Sequence, residues 1–138
     1  MPDKASPCDT PSTKGTVLVV DDHPINRLLM NTMLTKEGWQ VAEAESADDA
    51  MALLTNGLRP CLVFMDIRMP TGDGFSATRR IRQWEASLAL APMPVVALTA
   101  DGLDETRRLA TEAGMTGYVT KPVSLSQIQA VMSSVRPA

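Results

Sequence analysis

Charged residues follow three apolar runs of the sequence. Asp21 and Asp22 come directly after one run, Asp66 ends a second, and Lys121 follows a third. Fully apolar runs of about five residues are typical of strands in a parallel sheet that is covered on both faces. Because parallel strands end at one shared edge, where ligands bind, we expect three carboxylates and one ammonium group to lie close together there.

Carboxylates that lie close together repel one another unless a cation joins them. The grouping therefore predicts a bound divalent metal ion, and Mg²⁺ prefers oxygen ligands of this kind. We expect Asp22 and Asp66 to bind the ion directly and Asp21 to act through water. A backbone carbonyl just after Asp66, that of Arg68, would add another ligand. Mn²⁺ is the expected substitute for Mg²⁺.

A carboxylate can also act as a nucleophile and form an aspartyl phosphate. Phosphoryl transfer depends mainly on positioning and on charge neutralisation. The metal ion would take one phosphoryl oxygen, Lys121 a second, and the hydroxyl of Thr99 the third. Thr99 is suited to this role because it ends a further apolar run, and the small Ala100 beside it leaves room for a phosphodonor.

Each of these residues also has an ordinary structural explanation. An Asp after a strand is usually a turn residue or a helix cap, and Asp21-Asp22 before Pro24 would then only cap a helix. Lys121 would be a solvated loop lysine. Their occurrence together on corresponding strand ends favours a functional site over these explanations.

Strands and helices alternate in the predicted structure from Gly15 onward. The predicted strands are 16–20, 39–44, 61–66, 94–99 and 116–120, and the predicted helices are 24–37, 47–55, 74–86, 103–113 and 124–135. This alternation implies a parallel sheet with right-handed crossovers. Apolar residues at helical spacing predict the face of the first helix that contacts the core. They are Ile25, Leu28, Leu29, Met33 and Leu34.

Length and composition limit the possible classes of protein. The 138 residues suit a single domain, preceded by a Pro-, Ser- and Thr-rich stretch at 1–14 that is typical of a disordered leader or an interdomain linker. The net charge of −3 argues against nucleic acid as a partner. No apolar stretch approaches the ~20 residues of a membrane span. A cytoplasmic protein is the expectation.

The metal-binding and redox-active residue types are few. His23 is the only histidine and no Cys-x-x-Cys motif occurs, so we expect no zinc site and interpret His23 as a loop or first-turn residue of the first helix. Cys8 lies in the polar leader and Cys61 opens a buried strand. We therefore expect no disulfide between them.

Four segments of the sequence resemble the receiver domain of two-component response regulators. They are VLVVDDHPINR (17–27), LVFMDIRMPTGDG (62–74), PVVALTA (94–100) and GMTGYVTKP (114–122). The resemblance covers about residues 15–136. It implies an α/β flavodoxin-like fold, a (βα)5 doubly wound parallel sheet with strand order 2-1-3-4-5.

The resemblance also implies a role for each site residue. These are Asp66 as the phosphoacceptor, Asp21 and Asp22 as the acidic pair, Lys121 as the phosphate-contacting lysine, Thr99 as the switch hydroxyl and Tyr118 as the switch aromatic. In the family this aromatic side chain turns inward when the hydroxyl moves to the phosphoryl group. Lys121-Pro122 matches a peptide bond that is often cis in the family.

Two further positions vary in the family and tune access to the site. Arg68 lies two residues after Asp66, and Asp101 lies two residues after Thr99. We predict that Arg68 and Asp101 pair across the mouth of the site, the alternative being two unrelated surface charges.

Three short segments of the sequence are similar to receivers attached to hybrid histidine kinases. They are Asn26-Arg27, the ALTA run and AGMTGY. The implied partner is a histidine kinase or a histidine phosphotransfer domain, with no nucleic acid and no direct membrane contact. A monomer or weak dimer is expected, in the cytoplasm or as the cytoplasmic part of a membrane-bound sensor kinase.

The expected function is that of a phosphoacceptor that switches its interaction face or relays the phosphate. Its chemistry would be self-phosphorylation and self-dephosphorylation rather than enzymatic turnover, although a hybrid parent chain would be a kinase. One alternative is a stand-alone Mg²⁺-dependent phosphohydrolase. Such enzymes of the haloacid dehalogenase type need a second acid where this chain has Arg68. The other alternative, an interaction-only pseudo-receiver, is disfavoured because the acid, hydroxyl and lysine set is complete.

Overall fold

The computed structural model describes residues 15–67, 74–100, 104–121 and 123–135. In chain order, its elements are β1 (Thr16–Val20), α1 (Pro24–Lys36), β2 (Gln40–Ala44), α2 (Ala47–Thr55), β3 (Leu62–Asp66), α3 (Gly74–Ser87), β4 (Val95–Thr99), α4 (Asp104–Ala113), β5 (Gly117–Thr120) and α5 (Leu125–Val135). The predicted element order is confirmed, and every boundary lies within one residue of its predicted place. None of the helices in these ranges has the length and apolar character that crossing a bilayer requires.

The strands form one parallel sheet in the order β2-β1-β3-β4-β5. This order confirms the doubly wound, flavodoxin-like topology. The chain reverses its direction of winding between β1 and β3, and ligands of such sheets bind outside the carboxyl ends of the strands at this point. The three predicted carboxylates follow or end these two strands.

Buried side chains form an apolar core on each face of the sheet, because successive residues of a strand point to opposite sides. On one face, Met65 of β3 belongs to the same cluster as Ile81 of α3. On the other face, Phe64 clusters with Leu34 of α1 and Ile128 of α5. The uninterrupted apolar runs Val17–Val20 of β1 and Leu62–Met65 of β3 are consistent with this burial on both faces.

Helix α1 buries fewer apolar side chains than its pattern predicts. Met30 and Leu34 are its buried residues. By contrast, Ile25, Leu28 and Leu29 are 71%, 64% and 55% exposed, so the prediction that they face the core is wrong. The reason is rotational: the stripe that contains Met30 and Leu34 faces the sheet, and at 3.6 residues per turn the other three lie towards the far side.

A buried carboxylate, Glu85, joins α3 to its surroundings. Glu85 is 2% exposed, and Arg82 donates to its Oε1 at 2.8 Å while the Met93 backbone N–H donates to its Oε2 at 2.7 Å. Arg82 Nη2 also donates to the carbonyl of Gly114 at 2.7 Å. Since a buried charge is tolerated only when it is paired, this network fixes α3 against the loop before β4 and the end of α4.

Cys61 lies just before β3 and is disulfide-bonded, so the expectation of no disulfide is wrong for this residue. Its backbone N–H donates to the Thr16 carbonyl at 2.8 Å. Cys61 therefore lies beside the start of β1. The other cysteine, Cys8, lies outside the described residues.

Candidate functional site

The acidic residues meet because β1 and β3 are neighbours with a fixed register. Val20, which ends β1, pairs with Met65 of β3. Asp21 and Asp66 directly follow these two paired residues, so they lie side by side at the ends of adjacent strands. The side chain of Asp21 is fully buried and Asp66 is 2% exposed. Asp22 follows at the turn into α1, with its side chain 22% exposed. Two buried carboxylates and one partly buried carboxylate therefore share this edge of the sheet.

The ammonium group of Lys121 contacts two of these carboxylates. Its Nζ lies 3.3 Å from Asp66 Oδ1 and 3.5 Å from Asp21 Oδ2. The backbone N–H of Lys121 donates to the Thr99 carbonyl at 2.7 Å, which holds the end of β5 against the end of β4. One cation thus offsets part of the repulsion between two carboxylates. The ammonium group lies at the same sheet edge as these carboxylates, as the sequence pattern predicts.

Thr99 and Tyr118 lie on β4 and β5, the two strands that follow β3 in the sheet. Thr99 ends β4, is 3% exposed and pairs in register with Thr120, and Ala100 after it is exposed. Tyr118 is partly buried on β5, and its ring centre lies 4.5 Å from the guanidinium carbon of Arg107 on α4. The two residues are thus on neighbouring strands, as predicted. The Arg107 contact was not predicted.

His23 brings a nitrogen atom to the acidic cluster. Its Nδ1 lies 3.1 Å from Asp22 Oδ1 and 3.4 Å from Asp21 Oδ1. One possible ligand atom from each of Asp21, Asp22, His23 and Asp66 lies within 4.8 Å of the others. His23 lies in the loop just before α1, so its interpretation as a loop or first-turn residue of this helix is correct, but its approach to the carboxylates was missed. The feature of the sequence that could have indicated this approach is the position of His23 directly after the acidic pair.

The donor atoms fit a divalent cation. Asp22 Oδ1 is buried and accepts no hydrogen bond within the described part of the chain, because the His23 contact has ion-pair distance without hydrogen-bond geometry. A buried oxygen in this condition is costly unless another group satisfies it. Three carboxylates are also the oxygen-rich donor set that hard divalent cations prefer. The structure therefore contains an acid-rich group suited to hold a metal ion.

Arg27 supports the acidic end of β1 from the side of α1. Its Nη1 donates to the backbone carbonyl of Asp21 at 2.7 Å, and its Nε lies 3.3 Å from Glu43 Oε1. Glu43 Oε2 also accepts a hydrogen bond from Asn31 at 2.7 Å. These contacts join β1, β2 and α1 at the site. They depend on the orientation of the side chains, which the spacing of residues along the sequence does not show.

Gly74 supports the acidic end of β3. A Cβ atom added to Gly74 would lie 2.5 Å from the backbone oxygen of Asp66 and 2.9 Å from Met65 Cγ. The Gly74 N–H also donates to the Ile67 carbonyl at 2.8 Å. Only glycine permits α3 to begin this close to Asp66.

Arg68, Asp101 and Pro122 lie outside the described residues. The carbonyl ligand expected from Arg68, the Arg68–Asp101 pair and the cis form of the Lys121-Pro122 bond therefore stay predictions.

Comparisons with known proteins place the chain among signalling domains. The family model of the response regulator receiver domain matches residues 17–133, which include all the site residues described above. The sensor histidine kinase GacS of Pseudomonas protegens is 38% identical over 131 residues, which cover 94% of this chain and 14% of GacS. The sensor histidine kinase RcsC of Escherichia coli is 38% identical over 117 residues, which cover 85% of this chain and 12% of RcsC.

A solved structure gives the same result for the fold. The receiver domain of the histidine kinase CKI1 from Arabidopsis thaliana, complexed with Mg²⁺, has a TM-score of 0.79 and 33% identity. The match covers 88% of this chain and 91% of the CKI1 domain. The chain thus spans a small fraction of the two sensor kinases but nearly all of an isolated receiver domain. It belongs to the response regulator receiver domain family.

Proposed function

We propose that this domain accepts a phosphoryl group on Asp66 from a phosphohistidine partner and acts in a two-component phosphorelay. One observation carries the proposal: Lys121 Nζ lies within 3.5 Å of both Asp66 and Asp21, at the sheet edge where three carboxylates meet. This arrangement supplies a nucleophile together with the positive charge that a transferred phosphoryl group needs.

The transfer exchanges one bond to phosphorus for another. A carboxylate oxygen of Asp66 attacks the phosphorus atom, and a phosphorus–oxygen bond forms as the phosphorus–nitrogen bond of phosphohistidine breaks. The leaving imidazole nitrogen takes up a proton, and the product is an acyl phosphate. Lys121 lies beside the acceptor, where it can neutralise one phosphoryl oxygen, and Thr99 ends the adjacent strand, where its hydroxyl can donate to another.

We propose Mg²⁺ as the ion of the acidic cluster, with Mn²⁺ as its substitute. Asp22 and Asp66 would bind the ion directly, Asp21 through water, and Arg68 through its backbone carbonyl. When bound, the ion supplies positive charge to the phosphoryl oxygens. The buried Asp22 Oδ1 without a hydrogen bond supports this proposal, and so does the CKI1 receiver structure with Mg²⁺.

The surface beside the site is suited to a protein partner. Exposed Ile25, Leu28 and Leu29, here called the α1 patch, lie on the helix that begins just after the acidic pair. Leu29 also lines a small groove whose walls include Asp21 and Lys121. Contiguous exposed apolar groups of this kind mark interaction sites. We propose that a histidine kinase or a histidine phosphotransfer domain packs on the α1 patch while it presents its phosphohistidine.

The conformational output would use Thr99 and Tyr118. Phosphorylation would draw the Thr99 hydroxyl towards the phosphoryl group and let Tyr118 turn inward, altering the face formed by α4, β5 and α5. A switch of this type needs two states that differ in their energy of interaction with the phosphorylated site.

The relatives also support a domain arrangement. We propose that residues 1–14 form a linker, that residues 15–136 form the receiver domain, and that the domain operates in the cytoplasm as part of a hybrid histidine kinase. The names of GacS and RcsC as sensor histidine kinases support this assignment.

Phosphorylation with a small donor tests the acceptor. Incubation with acetyl phosphate and Mg²⁺ should add the mass of one phosphoryl group to the intact protein, and the adduct should decay slowly. Asp66→Asn should abolish the adduct, whereas the exposed control Asp48→Asn should leave it unchanged. A persistent full-yield adduct in Asp66→Asn contradicts the assignment. Rapid turnover would indicate a phosphohydrolase, and absence of any adduct an interaction-only domain.

Comparison of two donors tests the α1 patch separately. Leu28→Ser should slow phosphoryl transfer from a phosphorylated histidine phosphotransfer domain but leave the reaction with acetyl phosphate unchanged. Leu88→Ser, at a residue 54% exposed outside the α1 patch, is the matched control and should affect neither reaction. Equal rates for Leu28→Ser and Leu88→Ser with the protein donor would place the docking surface elsewhere.

A further inference from the structure

His23 occupies the N-cap position of α1 but does not cap the helix. Its side chain makes no capping hydrogen bond, and its backbone has the extended angles φ −93° and ψ 115°. Pro24 follows at the first helical position and disfavours the helical conformation for the residue before it. The backbone N–H of His23 donates to Asp21 Oδ1 at 2.9 Å. The turn from β1 into α1 thus holds the imidazole beside the acidic pair.

The donor atoms lie almost as close together as the ligands of a single cation. Two ligands at a right angle, with bonds of about 2.1 Å, stand about 3.0 Å apart, and opposite ligands stand about 4.2 Å apart. His23 Nδ1 lies 3.1 Å and 3.4 Å from oxygens of Asp22 and Asp21. The full set of donor atoms, including one from Asp66, lies within 4.8 Å. Small adjustments would bring the donor atoms of Asp22, His23 and Asp66 to one ion, with Asp21 close enough to act through water.

An imidazole nitrogen changes which cation such a site prefers. Mg²⁺ prefers oxygen ligands, whereas first-row transition metals bind imidazole well and increase in affinity from Mn²⁺ to Co²⁺ and Ni²⁺. We propose that His23 is a further metal ligand of this site, which binds through Nδ1 and gives the site a selective preference for transition-metal cations over Mg²⁺. This inference rests on the proposed metal site and adds to it a ligand and a class of ion.

The exposure of the ring is compatible with this role. The His23 side chain is 64% exposed, so Nδ1 can approach a bound ion without repacking of the core. The competing interpretation is that the imidazole, as a cation, pairs with Asp22 and is displaced when a metal ion enters. The two interpretations predict opposite effects of removing the ring nitrogens.

Calorimetric titration of the full chain with Co²⁺ and with Mg²⁺ separates them. His23→Phe keeps a ring but removes both nitrogens, and it should weaken Co²⁺ binding about tenfold while changing Mg²⁺ binding less than about twofold. Asn26→Ala, one turn further along α1, removes a polar group that is not among the four donor residues and should change neither affinity. Because His23 is the only histidine, Co²⁺ should also strongly shift and broaden a single set of imidazole proton NMR signals.

The outcomes separate this inference from the proposed function. Equal losses for both ions in His23→Phe, no change for either, or tighter binding of both would overturn the role of His23 while leaving the acidic metal site intact. If neither ion binds to the wild-type chain, or if Asp22→Ala binds both ions as the wild type does, the metal site itself is wrong and this inference fails with it.

Discussion

The ammonium nitrogen of Lys121 lies 3.3 Å from the carboxylate of Asp66. Lys121 follows β5 and Asp66 ends β3, so β4 lies between the two strands in the sheet. The lysine side chain therefore extends past the end of β4 to reach the proposed acceptor. Since the same Nζ is 3.5 Å from Asp21, a metal ion and this lysine would share carboxylates.

Lys121→Ala should have opposite effects on metal binding and on phosphorylation. Removal of the ammonium group leaves the carboxylates more repulsive towards one another, so Mg²⁺ should bind several-fold more tightly. Phosphoryl transfer should slow by about 100-fold, since one donor to the phosphoryl oxygens is lost. Titration calorimetry and the rate of adduct formation measure the two effects. Weaker Mg²⁺ binding would show that Lys121 does not compete with the ion.

Asp22→Ala should remove most of the stabilisation by Mg²⁺. A ligand that binds only the folded state stabilises it by about 2.7 kcal/mol at 100 times its dissociation constant. Without metal, the variant should melt at a higher temperature than the wild type, because one of the clustered carboxylates is gone. Thermal melting with and without Mg²⁺ measures both effects. Glu45→Ala, at an exposed acid outside the cluster, should show the same Mg²⁺-induced rise in melting temperature as the wild type. An unchanged rise in Asp22→Ala would contradict direct binding of the ion by Asp22.

Gly74→Ala should damage the site through the backbone. The new Cβ would lie 2.5 Å from the Asp66 backbone oxygen, so either α3 or the end of β3 must shift. We expect a loss of about 1–3 kcal/mol in the free energy of unfolding, together with slower phosphorylation of Asp66. Gly117→Ala is the control, because its Cβ would meet Val96 at an ordinary 3.9 Å. Denaturant unfolding that gives the same stability for both variants would show that the close approach does not constrain the site.

Arg107→Ala should free Tyr118 from its contact with α4. An exposed cation–π contact contributes about 0.5–1 kcal/mol, so the loss of stability should be small. Tyr118 is the only tyrosine, and its ring NMR signals should shift towards their positions in the phosphorylated protein. Arg108→Ala removes a neighbouring arginine that pairs with Glu112 instead, and it should leave the Tyr118 signals in place. Identical spectra for the two variants would exclude Arg107 as a restraint on Tyr118.

The sequence by itself determined the fold and the meeting of Asp21, Asp66 and Lys121 at one edge of the sheet. The apolar runs that become β1 and β3 end at Asp21 and Asp66, and alternation with amphipathic segments requires a parallel sheet. Parallel strands then place these residues at one edge, together with Lys121 from β5. These features depend on position along the chain, which spacing and residue type reveal directly.

Only the tertiary structure decided which way particular side chains point. The apolar pattern of α1 did not show that Leu28 is exposed, because more apolar residues lie on this helix than its contact with the sheet buries. The approach of His23 to the carboxylates depends on the turn before α1, and the burial of Glu85 depends on partners from the loop before β4 and from its own helix. The periodicity of apolar residues shows which helix or strand a residue belongs to. Contacts with neighbouring helices and strands fix the orientation of its side chain.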